Sequence, residues 1–138
     1  QLDILAAEGV DFRHVVIGHS CGTANLKYHV SLLERGAFIG FDRFGLESLF
    51  PDRLRIASLV GLLAIGYANR IVLSHDAVGC FLGRSMFRTP ESQRGLAKWN
   101  YTHLLKEVIP KLREVGVSEA QVRMMTVENP GRYFGGSH

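Results

Sequence analysis

The hydrophobic pattern of the chain contains two kinds of segment that follow each other in turn. Short runs in which almost every residue is apolar are typical of strands buried on both faces. Longer runs with apolar residues three and four positions apart are typical of helices with one buried side. Runs of the first kind predict strands over His14–Gly18, Ala37–Phe41 and Arg70–Leu73.

Helices are predicted between and after these strands. Leu26, Val30 and Leu33, for example, share one face of a helix. Gly36 then supplies a C-terminal stop, and Pro51 is typical of the start of the next helix. The predicted helices are Ile4–Glu8, Ala24–Arg35, Asp52 to about Tyr67, Tyr101–Val115 and Ser118–Met125, with a last short turn over Asn129–Phe134.

The alternation of strands and helices predicts an α/β fold with parallel strands and right-handed crossovers. Three parallel strands alone would leave two exposed edges, and the first helix arrives without a strand before it. A complete (β/α)8 barrel needs about 250 residues, or roughly 31 per unit. Residues 1–138 are therefore predicted to be a single incomplete domain, and the absence of an initiator Met suggests a start upstream.

Composition and charge exclude some classes of partner. Hydrophobic residues make up 46% of the 138 positions, which is enough for a globular core. The net charge of +3 is small and the basic residues are scattered, so we predict no nucleic-acid partner. The longest apolar stretch, Ile56–Ala68, is too short to span a membrane, and the N-terminus does not resemble a signal peptide.

The two cysteines, Cys21 and Cys80, are far apart in sequence and form no CxxC motif. This spacing indicates neither a zinc knuckle nor a disulfide framework. Reduced thiols in a cytoplasmic protein are the simplest interpretation.

Candidate chemistry lies at the ends of two predicted strands. His19 follows the first strand and Asp76 follows the third. The C-terminal ends of parallel strands converge in α/β enzymes, so an imidazole and a carboxylate there can face the same ion or substrate. This arrangement suggests a metal-dependent hydrolase. The alternatives are a hydrogen-bonded structural histidine and an aspartate that caps the following turn.

Short motifs at these strand ends and in the last helices occur in a fixed order. They are Val16-Ile17-Gly18-His19-Ser20, Ile39-Gly40-Phe41-Asp42-Arg43-Phe44-Gly45, Ile71-Val72-Leu73-Ser74-His75-Asp76, Trp99-Asn100-Tyr101-Thr102-His103 and Val127-Glu128-Asn129-Pro130. With these separations the chain resembles the C-terminal portion of the phosphotriesterase-like lactonase family, within the amidohydrolase superfamily. The resemblance implies a (β/α)8 TIM barrel of which this chain supplies strands six to eight and the helices that follow.

The resemblance also implies a binuclear metal centre. In the family it is held by two histidines after the first strand, a carboxylated lysine on the fourth, single histidines on the fifth and sixth, and an aspartate on the eighth. By motif position the last two are His19 and Asp76. Two divalent ions are implied, with zinc as the first expectation and iron, cobalt or manganese as alternatives. A hydroxide bridging the ions would attack the substrate, and Asp76 would have a second, catalytic role as proton acceptor.

Arg43 is the candidate for substrate binding. In lactone-hydrolysing members an arginine lies near the substrate at this position, so the resemblance implies a lactone or related ester, with phosphotriesterase side activity. Asp42 would orient its neighbours by hydrogen bonds, although an ordinary Asp-Arg turn pair is the alternative. His75 should point away from Asp76 because side chains alternate along a strand. The loop Ala77–Lys98 would be either an apolar lid or a flexible connector, and a homodimer is expected at full length.

Two other interpretations remain open at the level of sequence. Four of the six ligands in the family pattern are absent from this chain, so it could be a catalytically silent fragment. It could also be a non-enzymatic α/β module that pairs through its exposed sheet edges. His29 and His103 are expected at the core edge or in solvent, and Trp99 is expected to pack the last helix against the barrel.

Overall fold

The three predicted strands form one parallel sheet in chain order. The structure is a computed structural model that describes residues 1–78, 82 and 89–135. Its strands are β1 (Val16–Ile17), β2 (Phe38–Phe41) and β3 (Ile71–Leu73), with β2 in the centre. Ile39 of β2 lies opposite Ile17 on one side and Ile71 on the other. The prediction of an α/β fold with parallel strands is confirmed, although each strand is shorter than predicted.

Helices follow and connect the strands, and several begin at side-chain caps. The Asn25 side chain accepts the backbone N–H of Tyr28, and Ser118 forms a reciprocal capping box with Gln121. Over the described part of the chain, no helix is long and apolar enough to cross a membrane. The helices are α1 (Leu2–Ala7), α2 (Leu26–Glu34), α3 (Asp52–Ala64), α4 (Pro90–Arg94), α5 (Ile109–Glu114), α6 (Glu119–Arg123) and α7 (Asn129–Phe134). Short 3-10 turns cover Phe12–His14, Ser20–Gly22 and Tyr67–Arg70.

The last two helices are continuous through a wider, π-helical turn. Met124–Glu128 is π-helical and joins α6 to α7, so the predicted end of a helix at Met125 is wrong. A proline ring clashes with the carbonyl group four residues earlier, and Pro130 places Thr126 at that position. The π turn accommodates this clash without ending the helix. The same arrangement occurs at Leu104–Val108, which runs directly into α5 and its Pro110.

The core lies around β2, all four of whose residues are buried. This burial on both faces explains why the strand is continuously apolar in sequence. Asn129 is also fully buried and donates its amide to the carbonyl groups of Ala68 and Ile71, which attaches α7 to the start of β3. The largest fully buried apolar side chains are Phe41, Phe44, Ile39, Leu59, Leu62, Ile71, Leu112, Met125 and Val108.

A buried polar network holds the segment after β2. The carboxylate of Asp52 accepts the backbone N–H of Gly45 at 3.0 Å and lies 2.9 Å from a guanidinium nitrogen of Arg55. Nε2 of His103 lies 2.8 Å from the same carboxylate. Arg55 has no exposed surface and also donates to backbone carbonyl groups of this segment. The expectation that His103 lies at the core edge or in solvent is wrong, because it is the partner of a buried carboxylate.

Candidate functional site

His19 and Asp76 share an unusual backbone conformation at the same edge of the sheet. His19 lies two residues after the end of β1, and Asp76 lies three residues after the end of β3. Their φ angles are 59° and 47°, and they are the non-glycine residues with positive φ in the part of the chain that the structure describes. The left-handed conformation costs an L-residue roughly 1–2 kcal/mol. Strain of this kind is concentrated at functional sites, where the surrounding structure holds it in place.

The side chains of these two residues converge. Nδ1 of His19 lies 3.8 Å from Oδ2 of Asp76, and the side chains are 48% and 36% exposed. Sequence reasoning placed the two residues at a common mouth, and the structure brings them together there. Their role as metal ligands stays a prediction.

Asp42 directly follows β2 and holds the backbone of His19. The N–H of His19 donates to both carboxylate oxygens of Asp42, at 3.1 and 2.9 Å. Nδ1 of His19 lies 3.3 Å from the same carboxylate. Gly40 leaves room for this contact, since a Cβ there would lie 3.0 Å from Oδ2 of Asp42. Asp42 therefore orients His19, as the sequence suggested for a hydrogen-bonding neighbour.

Arg43 lies against Asp76. Its Nε donates to Oδ2 of Asp76 at 3.0 Å, and about a third of each side chain is exposed. The positive charge of the guanidinium therefore compensates the negative charge of the Asp76 carboxylate at Oδ2, the oxygen that faces His19. An ion pair this exposed contributes little stability. Asp76 could therefore exchange Arg43 for another positively charged partner at little cost in free energy. Substrate binding by Arg43 stays a prediction.

Cys21 packs beneath this group and is fully buried. Burial raises the pKa of its thiol, and the backbone N–H of Arg43 donates to its sulfur at 3.4 Å. A protonated, buried thiol is a structural group and a poor metal ligand. Cys80 lies outside the described residues.

His75 turns away from the site, as strand alternation predicts. Its ring meets Tyr101 edge-on at 4.9 Å, and its Nδ1 accepts the backbone N–H of Ala77. Its carbonyl group accepts the indole N–H of Trp99 at 3.0 Å. Trp99 thus reaches the peptide directly before Asp76. Sequence reasoning assigned Trp99 only to helix packing, and a contact across 24 positions leaves no local signal.

His29 is a second residue whose role the sequence did not reveal. It is fully buried in α2, so the expectation of a position in solvent or at the core edge is wrong. Its Nε2 lies 2.8 Å from the carbonyl oxygen of Ser20 and must donate there, because a carbonyl oxygen only accepts. Burial lowers the pKa of His29 and favours this neutral form. The signal in the sequence was its spacing to Leu33, four residues later on the same face.

The donor atoms fit part of a metal site. Imidazole nitrogen and carboxylate oxygen are both ligands that zinc takes in proteins. Among the residues that the structure describes, however, no group of three or more His, Cys, Asp or Glu side chains could hold a metal ion. A metal site therefore needs further ligands besides His19 and Asp76. In the loop Ala77–Lys98, predicted as either an apolar lid or a flexible connector, Val78 and Leu82 are exposed. Phe81, Met86 and Phe87 lie outside the described residues.

Comparison with known proteins gives one consistent result. The sequence model of the Phosphotriesterase family matches residues 1–134. A phosphotriesterase homology protein of Mycobacterium tuberculosis (strain CDC 1551 / Oshkosh) is 36% identical over 134 residues, which are 97% of this chain and 40% of that protein. The chain therefore spans about two fifths of the length of such relatives.

Solved structures agree with the sequence comparison. The organophosphorus hydrolase of Deinococcus radiodurans is 37% identical and superposes with a TM-score of 0.89, over 96% of this chain and 41% of that one. A structure from the engineering of organophosphate hydrolysis activity in a weak promiscuous lactonase template has the same TM-score and identity, over 96% and 42% of the two chains. The three parallel strands and their helices thus match one portion of these larger folds.

Proposed function

Because this chain belongs to the phosphotriesterase family, we propose that it is part of a metal-dependent hydrolase of lactones or related esters, with phosphotriesters as secondary substrates. Solved relatives named for organophosphate hydrolysis and for lactonase activity support both substrate classes. Arg43 supports the lactone as the main one, because the family resemblance links an arginine at this position to lactone hydrolysis.

The proposed architecture is the C-terminal part of a (β/α)8 barrel. In it, β1, β2 and β3 are strands six, seven and eight, and residues 1–138 form one incomplete domain. The share of about two fifths of the relatives' length supports this division, since three units of roughly 31 residues and the terminal helices fill it. We refer below to the whole barrel as the full-length protein, and we expect it to be a cytoplasmic homodimer.

The observation that carries the proposal is the convergence of His19 and Asp76. Two strained residues that follow separate strands bring an imidazole nitrogen and a carboxylate oxygen to 3.8 Å. Two divalent ions, zinc first and iron, cobalt or manganese otherwise, would when bound act as Lewis acids and lower the pKa of water. His19 and Asp76 would hold them together with ligands from the rest of the barrel.

The residues of this chain then have distinct roles. Asp76 accepts a proton at its carboxylate as water adds to the substrate. Arg43 leaves the Asp76 carboxylate and donates to the substrate oxygen on which negative charge develops. Asp42 keeps His19 in its orientation through the backbone N–H.

Metal analysis of the full-length protein, with lactone and phosphotriester assays, tests this function. We expect about two bound transition-metal ions per chain, hydrolysis of both substrate classes and a higher kcat/KM for lactones. Less than one bound metal and no hydrolysis would contradict the proposal. Residues 1–138 alone should hydrolyse neither substrate, and self-association of this segment would favour the assembly module instead.

A further inference from the structure

We propose that Trp99 is a positioning residue that holds Asp76 in its left-handed conformation; this inference rests on the proposed function of Asp76. The indole N–H of Trp99 donates to the carbonyl oxygen of His75 at 3.0 Å. That carbonyl belongs to the peptide group joining His75 to Asp76. Its direction therefore fixes the plane from which the φ angle of Asp76, 47°, is measured.

The position of Trp99 is itself fixed by the segment that follows β2. Gly45 has a φ of 90°, and a Cβ there would lie 2.2 Å from the carbonyl oxygen of Lys98 and 2.9 Å from Cα of Trp99. Only glycine permits this approach. The backbone of Trp99 therefore rests directly on the backbone of Gly45.

Gly45 in turn is held by the buried network described above. Its N–H donates to both oxygens of Asp52, and His103 and Arg55 occupy the rest of that carboxylate. His103 lies four residues after Trp99 in sequence. The Asp52 carboxylate therefore holds both segments that meet at this contact, one through Gly45 and the other through His103. Trp99 thus links a rigid buried anchor to the peptide group before Asp76.

This anchor also controls the partner of Asp76. Arg43 lies two residues before Gly45, and its Nε reaches Oδ2 of Asp76. The β2–β3 pairing ends at Phe41 and Leu73. Beyond it, the contact between Gly45 and Trp99 helps to fix the distance between the segment carrying Arg43 and the segment carrying Asp76. The geometry of the Asp76 carboxylate therefore depends on Trp99 through the peptide group that precedes Asp76.

The test uses Trp99→Phe in the full-length protein, which keeps an aromatic ring and removes the N–H. The matched control is Asn129→Leu, because Asn129 donates to backbone carbonyl groups at the opposite end of the same strand. Both variants lose hydrogen bonds to β3 or its flanks, so both should lower stability. Zinc affinity and crystal structures of the metal-free proteins are the readouts.

We expect Trp99→Phe to weaken zinc binding about tenfold and to move the φ of Asp76 out of the left-handed region. Asn129→Leu should bind zinc within about twofold of the wild type and keep that φ. Zinc affinity in Trp99→Phe equal to that of the control, with φ of Asp76 still near 47°, would overturn the inference.

Two further outcomes are also decisive. Should Trp99→Phe fail to fold, Gly45→Ala applies the same test, because the added Cβ displaces Trp99 without changing its side chain. Should the wild type bind neither zinc nor iron, cobalt or manganese, the proposed function fails, whereas the φ of Asp76 in the metal-free variants still decides the role of Trp99.

Discussion

The two sides of the candidate site reach the same backbone conformation by different means. On the β1 side, His19 directly precedes a short 3-10 turn in which Ser20 and Cys21 are buried. The fully buried His29 donates the hydrogen on its Nε2 to the carbonyl oxygen of Ser20. On the β3 side, the peptide group between His75 and Asp76 is held by the indole of Trp99, which lies 24 positions after His75.

This difference separates stability from function along the chain. The β1 side is part of the hydrophobic core, so changes there should act on the fold and the site together. The β3 side depends on a series of contacts that begins at Asp52 and runs through Gly45 and Trp99. Substitutions at these contacts should alter the site more strongly the further they displace Trp99.

The largest expected effect is chemical and falls on the β3 side. Asp76→Asn in the full-length protein should lower kcat/KM for lactones by about 10²- to 10⁴-fold, because the amide accepts no proton. Asparagine tolerates the left-handed conformation, so the fold should be unchanged. Steady-state kinetics and thermal unfolding measure the two quantities. Activity within twofold of the wild type would remove Asp76 from the reaction.

The next effect breaks the anchor of the β3 side. Asp52→Ala leaves the fully buried Arg55 without its carboxylate, which should cost about 3–5 kcal/mol in the free energy of unfolding. Asp3→Ala is the matched control, since Asp3 pairs with Arg35 at 2.7 Å but is 92% exposed. Denaturant unfolding should show no measurable change for the control. Equal losses for the two variants would contradict the role given to the buried network.

Gly45→Ala tests the close contact between Gly45 and the backbone of Lys98. The added Cβ meets the backbone of Lys98 and also strains a positive φ, so we expect a loss of roughly 3 kcal/mol. Gly36→Ala has nearly the same φ, 91°, with nothing within 4 Å of the added Cβ. It should cost only about 1–2 kcal/mol. Equal unfolding free energies for the two variants would mean that the Lys98 contact carries no constraint.

The backbone strain at His19 and Asp76 can be measured directly. At His19 and at Asp76 the glycine variant should be more stable than the alanine variant by about 1 kcal/mol, because glycine adopts positive φ freely. At Ser31, an exposed residue inside α2, alanine should be the more stable by about 0.5–1 kcal/mol. A more stable alanine variant at all three positions would contradict the left-handed conformation of His19 and Asp76.

The effect that is smallest near neutral pH is a pH dependence on the β1 side. Burial lowers the pKa of His29 below its ordinary value of 6.5, so the unfolded chain binds more protons than the folded chain below that pH. The free energy of unfolding should therefore fall as the pH drops below 6.5, by at most about 1.4 kcal/mol per pH unit from this residue. His29→Gln should remove this contribution. An unchanged pH profile in the variant would show that His29 is not buried as a neutral group.

Sequence reasoning recovered the parts of this account that depend on local pattern. The strands, their parallel order and the strand-end positions of His19 and Asp76 follow from apolar runs and the family motifs. Trp99, Gly45 and Asp52 were not assigned to the site, because their contacts join residues far apart in sequence. The sequence does not predict the burial of His29, because a polar residue on a helix face does not reveal a buried carbonyl group as its hydrogen-bond partner.

Metal binding by His19 and Asp76 would be seen directly by anomalous X-ray diffraction from crystals of the full-length protein, recorded at the zinc absorption edge. The account predicts anomalous peaks about 2.0–2.2 Å from a ring nitrogen of His19 and from a carboxylate oxygen of Asp76. Peaks that lie elsewhere, or metal-loaded crystals in which both side chains are free of metal, would contradict it.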